Sequence, residues 1–117
     1  MLNDKGNSLT RIDPATGKPE STIRISDPYN MYYTPDGRYA IVVAEARKRL
    51  DFLDAATMKL THSLKVLCEG VDHIDFSAYG RYLIASCESA ASSSKSTLPG
   101  KCFLGRWSWP GMACRRT

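Results

Sequence analysis

The sequence predicts an all-β fold of antiparallel four-stranded units, and an internal repeat is the first observation that predicts it. Residues 9–25 match 50–66 at an offset of 41, and 28–45 match 71–88 at an offset of 43, with ten identical pairs in 35. A repeat of about 42 residues is the length of one four-stranded β-propeller blade. We therefore predict antiparallel four-stranded propeller blades.

The hydrophobic pattern inside each repeat is the second observation. Segments 20–25 and 61–66 alternate polar and apolar residues, which is typical of half-buried strands. Segments 39–44 and 82–87 are nearly continuous apolar runs, which is typical of strands covered on both faces. The turn at 34–37 reads Thr-Pro-Asp-Gly, where Pro fixes φ and Gly accepts a positive φ.

The order of strands and turns divides the chain into about one full blade and two half blades. Residues 28–66 form the complete blade, with strands predicted at 29–34, 38–45, 49–54 and 60–66. Residues 8–25 supply the outer two strands of a preceding blade, with 1–4 as the end of its second strand, and 73–88 supply the inner two strands of a following blade. Residues 1–88 are thus a partial β-propeller.

The last 29 residues differ in composition from the repeat. Residues 89–117 hold five Lys and Arg and no acid, and 89–97 are a low-complexity serine-rich run. Residues 1–88 hold eleven bases and twelve acids, so the tail supplies the whole net charge of +4. We expect an irregular basic tail. A pI near 9.0 would favour nucleic acid as a partner. Because the excess positive charge is confined to the tail, we do not predict such a partner.

An incomplete ring and a tail without the repeat together predict that the chain is a fragment. Blades bury their faces only against neighbouring blades, so exposed sheet edges predict self-association. We hypothesise that Met1 is an internal start and that residues from about 89 are disordered or translated out of frame. The alternative is a genuine, poorly ordered C-terminus. Alternative reading frames that continue the blade pattern on the neighbouring DNA would distinguish the two.

The repeat resembles a named family. Residues 12–18, Ile-Asp-Pro-Ala-Thr-Gly-Lys, followed by 35–44, Pro-Asp-Gly-Arg-Tyr-Ala-Ile-Val-Val-Ala, are similar to the YVTN-type β-propeller repeat of bacterial and archaeal proteins. The propeller domains of haem nitrite reductase and nitrous oxide reductase are similar in kind. The resemblance covers about residues 2–88 and implies blade architecture and a periplasmic or extracellular parent. It implies no single activity, since turn and core residues carry it.

Four polar residues near the inner strands are the candidate ligand-binding residues: His73, Asp72, Asp75 and Asn30. His73 comes just before an inner strand and aligns with Asn30, so this position is polar in both copies. In haem-bearing relatives, histidines from comparable loops reach the cofactor. Asp72 and Asp75 flank His73, and a carboxylate can orient an imidazole. The alternative is that His73 is a channel-lining residue that caps a turn.

No metal site or catalytic motif is predicted. His62, Cys68 and His73 have no recognised ligand spacing, and the chain has no phosphate loop, nucleophile elbow or His-Glu-x-x-His motif. Cys87 replaces Ala44 and is predicted to be a small core residue. Cys102 could pair with Cys114 if oxidised.

Three functions stay open on these observations. The first is a binding or scaffold module for an unknown protein or small molecule, without a cofactor. The second is part of a redox propeller that carries haem or copper. The third is a truncated product with no function of its own, which a soluble monomer with cooperative unfolding would contradict. No apolar run reaches the roughly 20 residues of a membrane span, and the first ten residues do not read as a signal peptide.

Overall fold

The computed structural model describes residues 1–66, 69–78, 83–89, 101–104 and 114–116. In these ranges the regular structure consists of eleven β-strands in three antiparallel sheets. No helix in the described part of the chain is long and apolar enough to cross a membrane.

Each sheet is built from strands that follow one another in the chain. The first sheet contains β1 (Leu2–Asn3), β2 (Ser8–Ile12) and β3 (Pro19–Arg24); the second contains β4 (Asn30–Tyr33), β5 (Tyr39–Ala44), β6 (Arg49–Asp54) and β7 (Leu60–Lys65); the third contains β8 (Glu69–Phe76), β9 (Leu83–Ser89), β10 (Lys101–Leu104) and β11 (Cys114–Arg116). Neighbouring strands in the first two sheets are joined by hairpin connections.

The predicted fold class of antiparallel four-stranded blades is confirmed. The four strands of the second sheet agree with the predicted ones to within one residue at every end. The agreement has a physical reason, because Pro, Gly and Asx turns mark where each strand stops and the apolar runs mark what lies between.

The third sheet extends further than the two inner strands predicted for it. β10 pairs with β9, and β11 pairs with β10, so this sheet has four strands. Sequence reasoning placed no strand in the basic tail, because neither β10 nor β11 repeats an earlier segment of the chain. Both are short, and backbone pairing to an existing edge does not require a recognisable repeat. The serine-rich run of the tail, at 90–97, lies outside the described residues.

The second sheet lies between the other two, and its side chains alternate between two cores. Ile41 and Val43 point to a cluster shared with the third sheet, whereas Ala40 and Val42 point to a cluster shared with the first. All four are fully buried. The continuous apolar run of β5 therefore reflects a strand that is covered on both faces, as its pattern predicts.

β9 is covered on one face. Leu83, Ala85 and Cys87 pack against the second sheet, but Ile84, between them, is 42% exposed. The same apolar pattern as in β5 led us to expect burial on both faces. The difference arises because the third sheet has a described neighbour on one side. Cys87 is buried as predicted, and it also forms a disulfide, which the sequence did not indicate.

The outer hairpin loops of the first two sheets repeat one hydrogen-bond pattern. Asp13 Oδ1 accepts the Ala15 amide at 2.9 Å, and the Gly17 amide donates to the Asp13 carbonyl at 2.7 Å. Forty-one residues later, the Met58 amide donates to the Asp54 carbonyl at the same 2.7 Å. The repeat in the sequence is therefore also a repeat of loop geometry.

Candidate functional site

A β-bulge in β8 sets the geometry of the candidate site. Val71 pairs with Cys87 and Ile74 pairs with Ala85, so two residues of β8, Asp72 and His73, lie opposite the single residue between those partners. In the second sheet, β4 and β5 pair regularly from Asn30 to Tyr33, and just before this stretch the Tyr29 amide donates to the carbonyl of Val43, the partner of Asn30, at 3.0 Å. A bulge adds a residue to one strand and changes the direction of its side chains. It therefore sets the directions of the Asp72 and His73 side chains, which stand where the other copy has Tyr29 and Asn30.

The Asp72 carboxylate is buried, and one of its two oxygens accepts two hydrogen bonds. It is 7% exposed, and its Oδ1 accepts the Ser86 hydroxyl and the His73 backbone amide, both at 2.6 Å. Burial acts to raise the pKa of Asp72, but the Ser86 hydrogen bond, the His73 amide and the charge of His73 outweigh it, so the pKa lies below its ordinary value of 3.8. The carboxylate is therefore held ionised beneath the surface.

His73 links the third sheet to the second. Its Nδ1 lies 3.0 Å from the hydroxyl oxygen of Tyr32 on β4, which is hydrogen-bond distance. Asn30, also on β4, donates from Nδ2 to the Asp72 carbonyl at 2.8 Å. The His73 side chain is 70% exposed, and its Nε2 lies 3.9 Å from Asp72 Oδ2. Two inner strands from different sheets thus meet at one polar junction with an imidazole at its surface.

Three of the four sequence-predicted site residues meet at this junction. Asn30, Asp72 and His73 are connected by the contacts above, whereas Asp75 is exposed further along β8 and pairs with Ile84. Asp75 Oδ1 accepts the Phe76 amide at 2.8 Å. The carboxylate beside the His73 imidazole therefore belongs to Asp72.

Sequence reasoning missed two members of the junction, Tyr32 and Ser86. Ser86 interrupts the apolar run of β9 where the other copy has Val43, and a polar residue inside a buried run was a signal that could have identified it. Tyr32 carried no such signal. Its contact with His73 joins residues 41 positions apart, and it depends on how the two sheets pack.

The metal-binding side chains of the described residues do not gather into a cluster. No group of three His, Cys, Asp or Glu side chains in the described part of the chain could hold a metal ion. The junction offers one imidazole and one carboxylate, of which one oxygen is already engaged. His62 lies on the outer strand β7, 5.9 Å from the Phe52 ring. Cys68 and the side chains of Cys102 and Cys114 lie outside the described residues.

Comparisons with known proteins address the fold. No protein-family model and no curated protein matches the chain. Among solved structures, the chain is similar to Hydrazine Synthase of Kuenenia stuttgartiensis, with a TM-score of 0.72, 18% identity and coverage of 97% of this chain. The chain spans 33% of that protein's chain. At this identity the likeness shows the fold alone, and with the three antiparallel sheets it supports a β-propeller-like fold.

Proposed function

We propose that this chain is a binding module made of propeller blades, which recognises a small molecule or a protein partner at the junction of β4 and β8. The bulge at Asp72 and His73 carries the proposal. Bulges are concentrated next to functional sites, where they redirect a side chain. In this chain the bulge of β8 lies at the position where an imidazole is presented to solvent.

The polar groups of the junction suit recognition. The buried Asp72 carboxylate and the Tyr32 hydroxyl fix the position of His73, so its exposed ring is held in place before a ligand arrives. Fixed polar groups lose little conformational entropy when they bind. Asn30 and Tyr32 extend the surface to the neighbouring sheet, so a ligand that contacts both strands would also stabilise the packing of the two sheets.

The contacts of Ser86, Asp72 and His73 differ from those of a catalytic nucleophile and its general base. The Ser86 hydroxyl donates to Asp72 Oδ1, whereas activation of a serine requires a base such as imidazole within hydrogen-bond reach of that hydroxyl. The imidazole of His73 instead contacts Tyr32. These contacts support binding over acyl transfer as the function of the junction.

A ligand screen by NMR tests this proposal. The full chain, labelled with ¹⁵N, would be mixed with amino acids, sugars, nucleotides and carboxylic acids at millimolar concentration. We expect at least one class to shift the amide signals of Asn30, Tyr32 and His73, and we expect those shifts to be lost in His73→Ala. His62→Ala, which changes the histidine on the outer strand, should keep them. Shifts confined to other surfaces, or unchanged in His73→Ala, would contradict the proposal.

We further propose that the chain folds in an oxidising compartment, such as the periplasm or the extracellular space. The disulfide of Cys87 supports this, because disulfides persist in such compartments and are rare in the reducing cytosol. Mass measurement of the native protein with and without a thiol-blocking reagent tests it. An unmodified disulfide is the expected result, and complete labelling of the Cys87 thiol would contradict it.

A further inference from the structure

We propose that the junction of β4 and β8 binds a primary ammonium group, which donates hydrogen bonds to Asp72 Oδ2 and His73 Nε2. This ligand class rests on the binding role proposed above for the junction. The two strands that form the junction are both described by the structure and are joined by side-chain hydrogen bonds. Neither strand contains a lysine or arginine that would supply a cation to the site from within.

The Asp72 carboxylate has one oxygen that accepts no hydrogen bond from the described residues. Oδ1 accepts the Ser86 hydroxyl and the His73 amide, both at 2.6 Å. Oδ2 lies 3.9 Å from His73 Nε2, which is beyond hydrogen-bond distance. The side chain is only 10% exposed. Because a buried ionised carboxylate is costly unless its oxygens accept hydrogen bonds, Oδ2 favours a ligand that brings a donor.

Both proposed acceptors are accessible from solvent. In the described part of the chain, every fully buried side-chain nitrogen or oxygen has a hydrogen-bond partner. Asp72 Oδ2 has no such partner, so it is not one of the fully buried atoms and is not sealed from solvent. The side chain of His73 is 70% exposed. A small group can therefore reach the two atoms without unfolding the junction.

The spacing of Asp72 Oδ2 and His73 Nε2 suits one nitrogen donor. Two atoms 3.9 Å apart can both lie about 2.9 Å from the same nitrogen. An ammonium group has three N–H donors, so it can donate to both atoms at once. The imidazole accepts at Nε2 when its proton is on Nδ1, and Nδ1 then donates to the Tyr32 hydroxyl oxygen 3.0 Å away. The contact between His73 and Tyr32 is thus kept in the complex.

The same groups disfavour other charged ligands. A guanidinium group binds a carboxylate best through both oxygens, but Asp72 Oδ1 already accepts two hydrogen bonds. A zinc or calcium ion takes about four or more ligands, and no group of three metal-binding side chains is present among the described residues. An anionic ligand would be repelled by the ionised Asp72 carboxylate. A compact cation with several donors is the class that fits.

Small amines and lysine side chains both carry a primary ammonium group, so the test uses one probe of each kind. Propylammonium and a capped Gly-Gly-Lys-Gly-Gly peptide would be added to the ¹⁵N-labelled full chain near neutral pH, where both amines are protonated. We expect at least one probe to shift the amide signals of Asp72 and His73 saturably, and propanol, which is uncharged, to leave them unchanged. Tighter binding of the peptide would identify a lysine of a protein partner as the source, and tighter binding of propylammonium would identify a small amine.

The imidazole signals of His73 report the contact directly. In the complex we expect Nε2 to carry no proton, because it accepts a hydrogen bond from the ammonium group. This measurement uses the native chain, as does a comparison with methylguanidinium, which should bind more weakly than propylammonium. Neither result depends on whether a variant folds.

Two variants separate this contact from the general effect of charge. Asp72→Asn keeps an oxygen for Ser86 and His73 and replaces Oδ2 by an amide NH₂ group. We expect it to weaken amine binding at least about tenfold, since a hydrogen bond to a charged group is worth about that factor or more. Asp75→Asn is the matched control, because it removes the same charge from an exposed carboxylate on the same strand. Its effect should stay below about threefold.

Four results would overturn the proposal. They are equal amine binding by the two variants, methylguanidinium binding as tight as that of propylammonium, a protonated His73 Nε2 in the complex, and no binding of either amine. In the last case the binding role of the junction would still stand if another class of ligand shifted the signals of Asn30, Tyr32 and His73. The failure of the ligand class and the failure of the binding role are therefore distinguishable.

Discussion

Two residues at equivalent loop positions show how packing overrides backbone preference. Gly17 has a φ of 70°, and Met58, which replaces it in the second copy, has a φ of 58°. The left-handed region costs a non-glycine residue about 1–2 kcal/mol. Met58 is 5% exposed and packs in the core between the first two sheets. Burial of a side chain of this size contributes about 1.5–3 kcal/mol, which offsets the strain.

Met58→Gly therefore has two opposing effects. It relieves the strained φ, but it removes the buried side chain and increases the entropy of the unfolded chain by an amount worth about 0.5–1 kcal/mol. We expect a net loss of about 1–2 kcal/mol in the free energy of unfolding, measured by urea denaturation. Gly17→Ala, which adds strain and buries nothing, should also destabilise the fold. An increase in stability for Met58→Gly would show that the strain outweighs the packing.

The pH dependence of stability tests the Asp72 contacts. The folded pKa of Asp72 is lowered, so its contribution to stability is present above the ordinary value of 3.8 and is lost as the pH falls through that value and below. Asp72→Asn should therefore flatten the decline in unfolding free energy below about pH 5. The pKa values of Asp13, Asp36 and Asp54 are lowered as well, so part of the decline should remain. An unchanged acid profile in the variant would contradict the assignment.

At the scale of elements, the hairpins of the first two sheets are joined through Asp27. Its backbone amide donates to Asn7 Oδ1 at 2.8 Å, and its Oδ2 accepts the Arg47 amide at 3.0 Å. Asn7 and Arg47 lie in the two hairpin turns, and Asp27 itself has a φ of 52°. One residue thus holds two turns in register while it occupies a conformation that Asp and Asn tolerate better than most residues.

Asp27→Ala and Asp27→Asn separate these contributions. Alanine loses the acceptor and strains the backbone, so we expect a loss of about 1–2 kcal/mol in unfolding free energy. Asparagine keeps both an acceptor oxygen and the tolerance of positive φ, so its cost should stay below about 0.5 kcal/mol. Urea denaturation measures both. Both variants remove the negative charge of the carboxylate. Equal losses would therefore show that this charge, and not the acceptor oxygen, is the important property.

The elements also show how far sequence reasoning reaches. The strands of the second sheet were predictable because strong turn signals bound each one. Asn30, Asp72 and His73 could be chosen as candidates because they are polar residues near the predicted inner strands. The bulge and the contact of Tyr32 with His73 could not be predicted, since strand register and the packing of two sheets depend on residues far apart in the chain.

For the molecule as a whole, stacking of sheets determines what each position contributes. Ile41 and Ile84 occupy equivalent places in β5 and β9, but Ile41 is fully buried and Ile84 is 42% exposed. We expect Ile41→Ala to reduce the unfolding free energy by about 2–4 kcal/mol and Ile84→Ala by less than about 1 kcal/mol. Chemical denaturation measures both. Similar losses would show that another part of the protein covers Ile84.

The consecutive order of strands in every sheet has a consequence for folding. Each strand pairs with the one before or after it in the chain, so a hairpin can form without waiting for distant segments. During synthesis the first sheet can form before the third has left the ribosome. The second sheet then serves as a template on both sides, and assembly proceeds by propagation from one layer to the next.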